Sequence, residues 1–257
     1  MFRFLRIGTY TFGLYPFFAC AGFFAAVVAT YLRMRAMGTS PRRENQVMRF
    51  LPVAFLLGAG TAYFTDMLLK GGLAALKRPG GYGLTFYGWL IGVVIMIVLY
   101  GAAAKIPVGY LLNLLLPPIA LGHAFGRIGC FCGGCCFGRP TSSCLGVRYP
   151  PGSIPYKVCG GTPLIPVQLY ECVLLLLIYF ILIRFVRFRH RAAWYLILMP
   201  TERFFIEFLR ADYRGMFFQS VLSPSQCMSI PFLIAGVVML CRSRRNAATV
   251  GARRGKI

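Results

Sequence analysis

The feature that most limits what this chain can become is a succession of apolar runs, each close to twenty residues long. They lie near 10–32, 48–69, 84–104, 107–126, 167–186, 192–209 and 219–241. A helix rises about 1.5 Å per residue, so roughly 20 apolar residues cross the hydrocarbon core of a bilayer. Within that core every backbone polar group must be satisfied by the protein, and for runs of this length the form that does so is the helix. The sequence therefore predicts an all-α polytopic membrane protein with about seven spans. Composition agrees, with 58% hydrophobic and only 13% charged residues in 257. A soluble domain carries about a quarter charged residues, and this chain has too few to cover a water-facing surface. Pro117 and Pro118 interrupt the fourth run and Pro200 the sixth, and Pro224 offers a later start for the seventh. Arg3 and Arg6 precede the first run as they would in a signal peptide. That run continues to Leu32 with no A-x-A site, so it reads as a spanning helix rather than a cleaved leader.

The formal net charge is +22. On a soluble protein this would suggest nucleic acid, but no RNA- or DNA-binding motif accompanies it, and nucleic acid is excluded as a partner. The basic residues fall mostly between the apolar runs, where they set topology and attract anionic head groups. The segments around 33–49, 105, 184–191 and 242–257 carry 16 Lys and Arg, against 11 at 1–9, 70–83, 127–166 and 210–218. Positive segments stay inside, which puts the amino terminus outside and the carboxyl terminus in the cytoplasm. The expected organisation is one transmembrane catalytic domain, 1–241, containing an outer Gly- and Cys-rich segment, 127–166. A basic cytoplasmic tail, 242–257, follows and is expected to be disordered.

Several polar residues stand against this apolar background. Arg203, Glu207 and Arg210 are spaced i, i+4, i+7, which places them on one helix face. A charge costs about 2.5–3.5 kcal/mol at the bilayer centre and less toward the interface. Arginine stays charged and binds phosphate through two donors, so this stripe suits a phosphate; it also suits helix packing or snorkelling. Arg127 lies in a Gly-rich stretch, where backbone N–H groups can approach an anion closely. The plain alternative is an interfacial arginine. Gln168 and Glu171 lie one turn apart at the mouth of the fifth run, as helix-to-helix hydrogen-bonding groups or as support for the site. Tyr15 reads equally as an interface aromatic or a ligand contact. His123 sits among apolar neighbours as a packing residue, and His190 in a basic inner turn.

Six of the ten cysteines crowd between Cys130 and Cys159. Three readings stay open. Cys132 and Cys135 have the C-x-x-C spacing of zinc and redox sites, and Cys130 and Cys136 could complete four ligands. A disulfide on an oxidising outer side is the second, with Cys144 and Cys159 as one candidate pair. Small buried thiols are the third. Metal sites rarely pack all their ligands into one heptapeptide, and no metal or other cofactor is expected. Cys20, Cys172, Cys227 and Cys241 lie in or beside apolar runs, where cysteine acts as a small hydrophobe.

Four stretches carry a resemblance. They are Gly83-Leu84-Thr85-Phe86-Tyr87-Gly88-Trp89-Leu90-Ile91-Gly92; the run from Gly126-Arg127-Ile128-Gly129-Cys130 to Phe137-Gly138-Arg139-Pro140; Pro166-Val167-Gln168-Leu169-Tyr170-Glu171; and Glu202-Arg203-Phe204-Phe205-Ile206-Glu207-Phe208-Leu209-Arg210 with Pro224-Ser225-Gln226 after it. In order and spacing the chain resembles the bacterial prolipoprotein diacylglyceryl transferases over nearly its whole length. The resemblance implies a seven-helix, multi-pass transferase of the bacterial inner membrane with a periplasmic amino terminus. Such an enzyme moves the diacylglyceryl group of phosphatidylglycerol to the lipobox cysteine thiol of a prolipoprotein. Glycerol phosphate leaves and a thioether forms. Its partners would be phosphatidylglycerol, the prolipoprotein signal peptide and the bilayer.

Matched to that pattern, Arg127, Arg203 and Tyr87 take catalytic positions. Arg210, Glu207, Tyr15, Gly138, Cys130, Gln168 and Glu171 take substrate-binding ones. The chain also departs from the pattern. Tyr87 stands where a histidine is usual before the glycine, Cys130 where an asparagine is usual, Cys135 for a glutamate, and Ile165 for a histidine before Pro166. A tyrosine, with its pKa near 10, is a poor base, so the reaction is expected to need none if arginines and interface lower the acceptor thiol's pKa. The rival functions are a divergent transferase with another acceptor and a non-catalytic redox or metal module built on the cysteines.

Overall fold

The computed structural model describes residues 4–7, 10–72, 83–211 and 222–254. Most of the segments weighed above at 70–83 and 210–218, and the start of the last apolar run, lie outside the described residues. The chain opens with a short antiparallel hairpin of β1 (Phe4–Ile7) and β2 (Tyr10–Gly13), in register from Phe4 opposite Gly13 to Ile7 opposite Tyr10. Aromatic and β-branched residues favour this pairing over a helix that begins at residue 10. The helices are α1 (Leu14–Ala36), α2 (Pro41–Gly71), α3 (Phe86–Ala103), α4 (Val108–Gly133), the short α5 (Ile154–Cys159), α6 (Val167–Arg184), α7 (Arg191–Ile206) and α8 (Pro224–Arg254).

Among the described residues six helices are long and apolar enough to cross a membrane: α1, α2, α3, α4, α6 and α8. The remaining expected span is α7, which has 16 residues and continues into a 3-10 turn, Glu207–Leu209. Together these extend roughly 30 Å. Their ends are signalled locally. Pro41 follows Ser40 at the first position of α2, where a missing N–H costs nothing. Ser223 and Gln226 form a capping box for α8, each side chain accepting from the other's backbone N–H at 3.2 and 3.0 Å. The prolines expected to break spans lie inside continuous helices: Pro117 and Pro118 in α4, Pro200 in α7.

Two expectations change. Helix α4 runs to Gly133, so Arg127 and Cys130 are helical and the non-helical stretch starts at 134, seven residues later than 127. In membrane helices small residues serve close packing more than breakage. The basic tail, expected to be disordered, continues α8 as far as Arg254. Extending a formed helix is far cheaper than nucleating one.

The chain forms two compact units, Met1–Ala26 with Leu116–Ile257, and Val27–Leu115. In the second, α2 packs on α3. The Thr61 hydroxyl donates to the Gly88 carbonyl at 3.0 Å, Phe50 stacks on Tyr100 at 4.3 Å, and the Tyr100 hydroxyl donates to the Gln46 carbonyl at 2.8 Å. In lipid, where burial of apolar surface drives little, such contacts hold helices together.

The first unit holds α6, α7 and α8 around the segment 134–166. A small core of Phe137, Tyr149 and Leu164 centres that segment. Val147 and Leu164 exchange backbone hydrogen bonds at 2.9 and 3.0 Å, and Ile165 donates to the Arg139 carbonyl at 3.0 Å. The start of α1 meets α4 backbone to backbone. A Cβ on Gly22 would lie 2.5 Å from the Gly122 carbonyl oxygen, and one on Gly122 would lie 3.0 Å from that of Gly22.

Candidate active site

The first unit gathers most of the polar residues singled out in the sequence. Glu171, on the first turns of α6, is their hub and is 1% exposed. One carboxylate oxygen accepts from Arg203 Nη1 of α7. The other lies 3.0 Å from Arg127 Nη1 of α4 and 3.9 Å from Arg210 Nη1. Glu207 completes the network, 2.9 Å from Arg203 Nη2 and 3.7 Å from Arg210 Nε. The Ser225 hydroxyl at the start of α8 accepts from Arg203 Nη2 at 3.2 Å. These paired groups are three guanidiniums and two carboxylates, which leaves a single positive charge in a buried place. Arg127 Nε is buried and makes no hydrogen bond among the described residues.

The geometry differs from the expected single helix face. Helix α7 ends at Ile206, a 3-10 turn follows, and Arg210 is extended at φ −83°, ψ 151°. Its backbone bridges to Gly138, while Arg139 donates to the Leu209 carbonyl at 2.9 Å and Ala211 to that of Phe137 at 3.1 Å. Arg210 reaches the cluster from a strand-like segment tied to the 134–166 segment. Gly138 is part of that tie. Its N–H donates to the Ile165 carbonyl at 3.1 Å, and a Cβ there would fall 2.5 Å from Val167 and 2.6 Å from the Ile165 oxygen.

Gln168 is fully buried and holds the cysteine loop. Its Nε2 donates to the Cys135 carbonyl at 2.6 Å and pairs with the Tyr149 hydroxyl at 3.2 Å. Burial pushes the Tyr149 phenol upward, against the hydrogen bond from Gln168. The three thiols of Cys130, Cys135 and Cys136 lie within 4.8 Å of one another. Cys132, which the C-x-x-C spacing pairs with Cys135, is outside the group, and none of the ten cysteines is in a disulfide, Cys144 and Cys159 included. A hydrogen bond from Cys130 lowers the Cys135 thiol, but Cys136 and burial outweigh it and push it up to about 12. Tyr15, at the start of α1, stands within electrostatic reach of all three thiols and of Arg127.

Tyr87 lies in the other unit, near the start of α3 and 6% exposed. Two residues given no site role in the sequence belong to the first unit's charged region. His123, read as a packing residue, lies one turn before Arg127 on α4, within electrostatic reach of Arg127 and Arg203. Glu202 adjoins Arg203, and its Oε1 is buried with no hydrogen-bond partner among the described residues. The signal available for each was its distance along the chain from an arginine, four residues in one case and one in the other.

A family model described as prolipoprotein diacylglyceryl transferase matches residues 3–242. The chain is 35% identical over 166 residues to a phosphatidylglycerol–prolipoprotein diacylglyceryl transferase 2 of Clostridium perfringens, covering 63% of each chain. It is 35% identical over 161 residues to the transferase of Clostridium tetani, covering 61% of this chain and 63% of that one. The matched region thus spans less than two thirds of the length of these two curated relatives. With the transferase of Geobacter sulfurreducens it shares 29% identity over 247 residues, 92% of each chain.

Proposed function

This chain belongs to the prolipoprotein diacylglyceryl transferase family, and on that premise we propose that it transfers the diacylglyceryl group of phosphatidylglycerol to a prolipoprotein's lipobox cysteine. The observation that carries this reading is the buried Arg127–Glu171–Arg203–Glu207–Arg210 network. Its net single positive charge is equal and opposite to that of one phosphodiester. Arg127 and Arg203 are the catalytic cations. They draw the phosphate into the network and take up the charge that grows on it as the bond from glycerol carbon to phosphate oxygen breaks. The acceptor thiolate attacks that carbon, a C–S bond forms, and glycerol phosphate leaves with the electron pair. Donors set in place before the reaction, in a site poor in water, act with little reorganisation, and each contributes on the order of 100–1000-fold in rate. Arg210 and Glu207 bind and orient the head group, and Glu171 keeps the three arginines together. Gln168, Tyr15, Gly138 and Cys130 shape the acceptor side.

The charge balance supports a multi-pass protein of the bacterial inner membrane with its amino terminus in the periplasm and its carboxyl terminus in the cytoplasm. Phosphatidylglycerol, the signal peptide of the prolipoprotein and the bilayer are its partners. The test gives purified protein phosphatidylglycerol and a lipobox peptide. A thioether-linked peptide, found by mass spectrometry and absent with Arg127→Ala, is the expected product. Lipid turnover without peptide labelling would move the reading to another acceptor, and no turnover at all would overturn it.

A further inference from the structure

Three cysteines, of which the proposed chemistry uses only Cys130, converge near Arg127. Cys130 sits in the last turn of α4, one turn beyond Arg127. The chain then folds back, with the Cys135 N–H donating to the Cys130 carbonyl at 3.2 Å. Cys136 holds φ +62°, a left-handed conformation that residues other than glycine seldom adopt. The fold thus keeps a demanding backbone where it brings a third sulfur to the other two. The Sγ atoms fall within 4.8 Å of one another, and Cys130 and Cys136 are 9% and 7% exposed. Around a tetrahedral zinc with Zn–S bonds of about 2.3 Å, sulfurs stand about 3.8 Å apart, within about 1 Å of the 4.8 Å limit seen here. Gln168 pins the Cys135 carbonyl at 2.6 Å, the kind of outer contact that fixes metal ligands.

We propose that Cys130, Cys135 and Cys136 form a three-thiolate zinc site whose open fourth position takes the acceptor cysteine and presents it as a thiolate. The inference rests on the transferase reading and deepens it. Three protein ligands with one open position are the arrangement of catalytic rather than structural zinc. A thiol coordinated to zinc is deprotonated outright, so no general base is required, and Tyr87 need not act as one. The step balances. On binding, the acceptor thiol gives its proton to solvent at the interface. Its zinc-bound sulfur then attacks the glycerol carbon, the carbon–oxygen bond to phosphate breaks, and glycerol phosphate departs with that electron pair. The product thioether is a poorer ligand than a thiolate and leaves the metal. Four thiolates on one zinc carry two negative charges, and Arg127, within electrostatic reach of Cys130 and Cys136, offsets part of them.

The test uses the full chain in lipid nanodiscs under a non-coordinating reductant. The expected results are one zinc per chain by elemental analysis and, on exchange for cobalt(II), a thiolate-to-metal charge-transfer band. The band should vanish in Cys130→Ser, Cys135→Ser and Cys136→Ser and persist in Cys132→Ser. A lipobox peptide should shift the band, and the same peptide with serine for cysteine should not. Chelation should slow thioether formation on the order of 100-fold, with zinc restoring it. Absence of any band from the wild-type chain, or a band that needs Cys132, overturns the site. Binding of copper(I) alone overturns the zinc. Full-rate transfer by metal-free protein overturns the inference and leaves the transferase reading intact. Metal binding with no transfer to any peptide overturns the transferase reading and the role of the zinc together.

Discussion

Glu171 is one carboxylate among three guanidiniums, and most of the site's electrostatics pass through it. Removing its charge leaves arginines buried without compensation, which costs about 3–5 kcal/mol when one member of a buried pair is lost. Glu171→Gln is therefore expected to lower the thermal stability of the solubilised protein as well as its transfer activity. Arg127→Ala should separate the two properties. It should insert and fold normally, as judged by helical content and membrane fractionation, yet lose transfer by at least about 100-fold. Tyr87→Phe should keep transfer within a few-fold, because the reaction is held to need no side-chain base; loss of activity in a folded variant would refute that. These residues were legible to different degrees. The arginines stood out in the sequence because a charge in an apolar run needs a reason. Glu171 looked secondary, since its spacing from Gln168 says only that both face one way. Its importance comes from α4 and α7 meeting α6, and residue spacing along α6 holds no trace of that.

At the scale of elements, the segment from Arg203 to Arg210 shows how linear spacing misleads. Read as a continuous helix it presents one charged stripe, but the chain leaves the helix after Ile206 and Arg210 arrives through a backbone bridge to Gly138. Gly138→Val should push that bridge apart. The expectation is a loss of about 1–3 kcal/mol, typical of overpacking, together with weakened binding of phosphatidylglycerol, read as a raised KM. Helix α4 erred the other way. Gly126, Gly129 and Gly133 suggested a loop, whereas all three lie within the helix and Gly129 packs against α1, where an added Cβ would fall 3.2 Å from the Tyr15 carbonyl oxygen. The turn between α6 and α7 carries a pH signature. His190 Nε2 accepts from Arg189 Nε at 2.9 Å, and its Nδ1 lies 3.0 Å from the Ser243 hydroxyl of α8. Burial first, then Arg189, Arg244 and Arg187, hold its pKa below the ordinary 6.5. A depressed folded value means the neutral ring favours the fold. That stability is full above about pH 6.5 and is lost as pH falls below it toward the folded value. Thermal melts at pH 8 and pH 5 should differ less in His190→Gln than in the wild type.

For the whole molecule, the membrane class was plain in the sequence, because a chain this apolar and this sparsely charged has few other solutions. The exact number of crossings was less plain. Helix α7 has only 16 residues, and its Glu202 and Arg203 spoil the hydropathy that marks the other helices. Orientation is open to a direct check. A reporter enzyme active only outside the cytoplasm should work when inserted between α4 and α6 and fail when fused after residue 257; the reverse pattern would invert the topology. One contact also sets a schedule for assembly. Gly22 and Gly122 touch through their backbones, yet the chain between them must be synthesised before they can meet. At about 5–20 residues per second, the first helix waits roughly 5–20 s for its mate. During that wait it has to rest in the bilayer alone, held only by its own hydrogen bonds and greasy flanks. A mutation that made α1 too polar to linger there would therefore harm biogenesis while leaving the chemistry of the finished protein's site untouched.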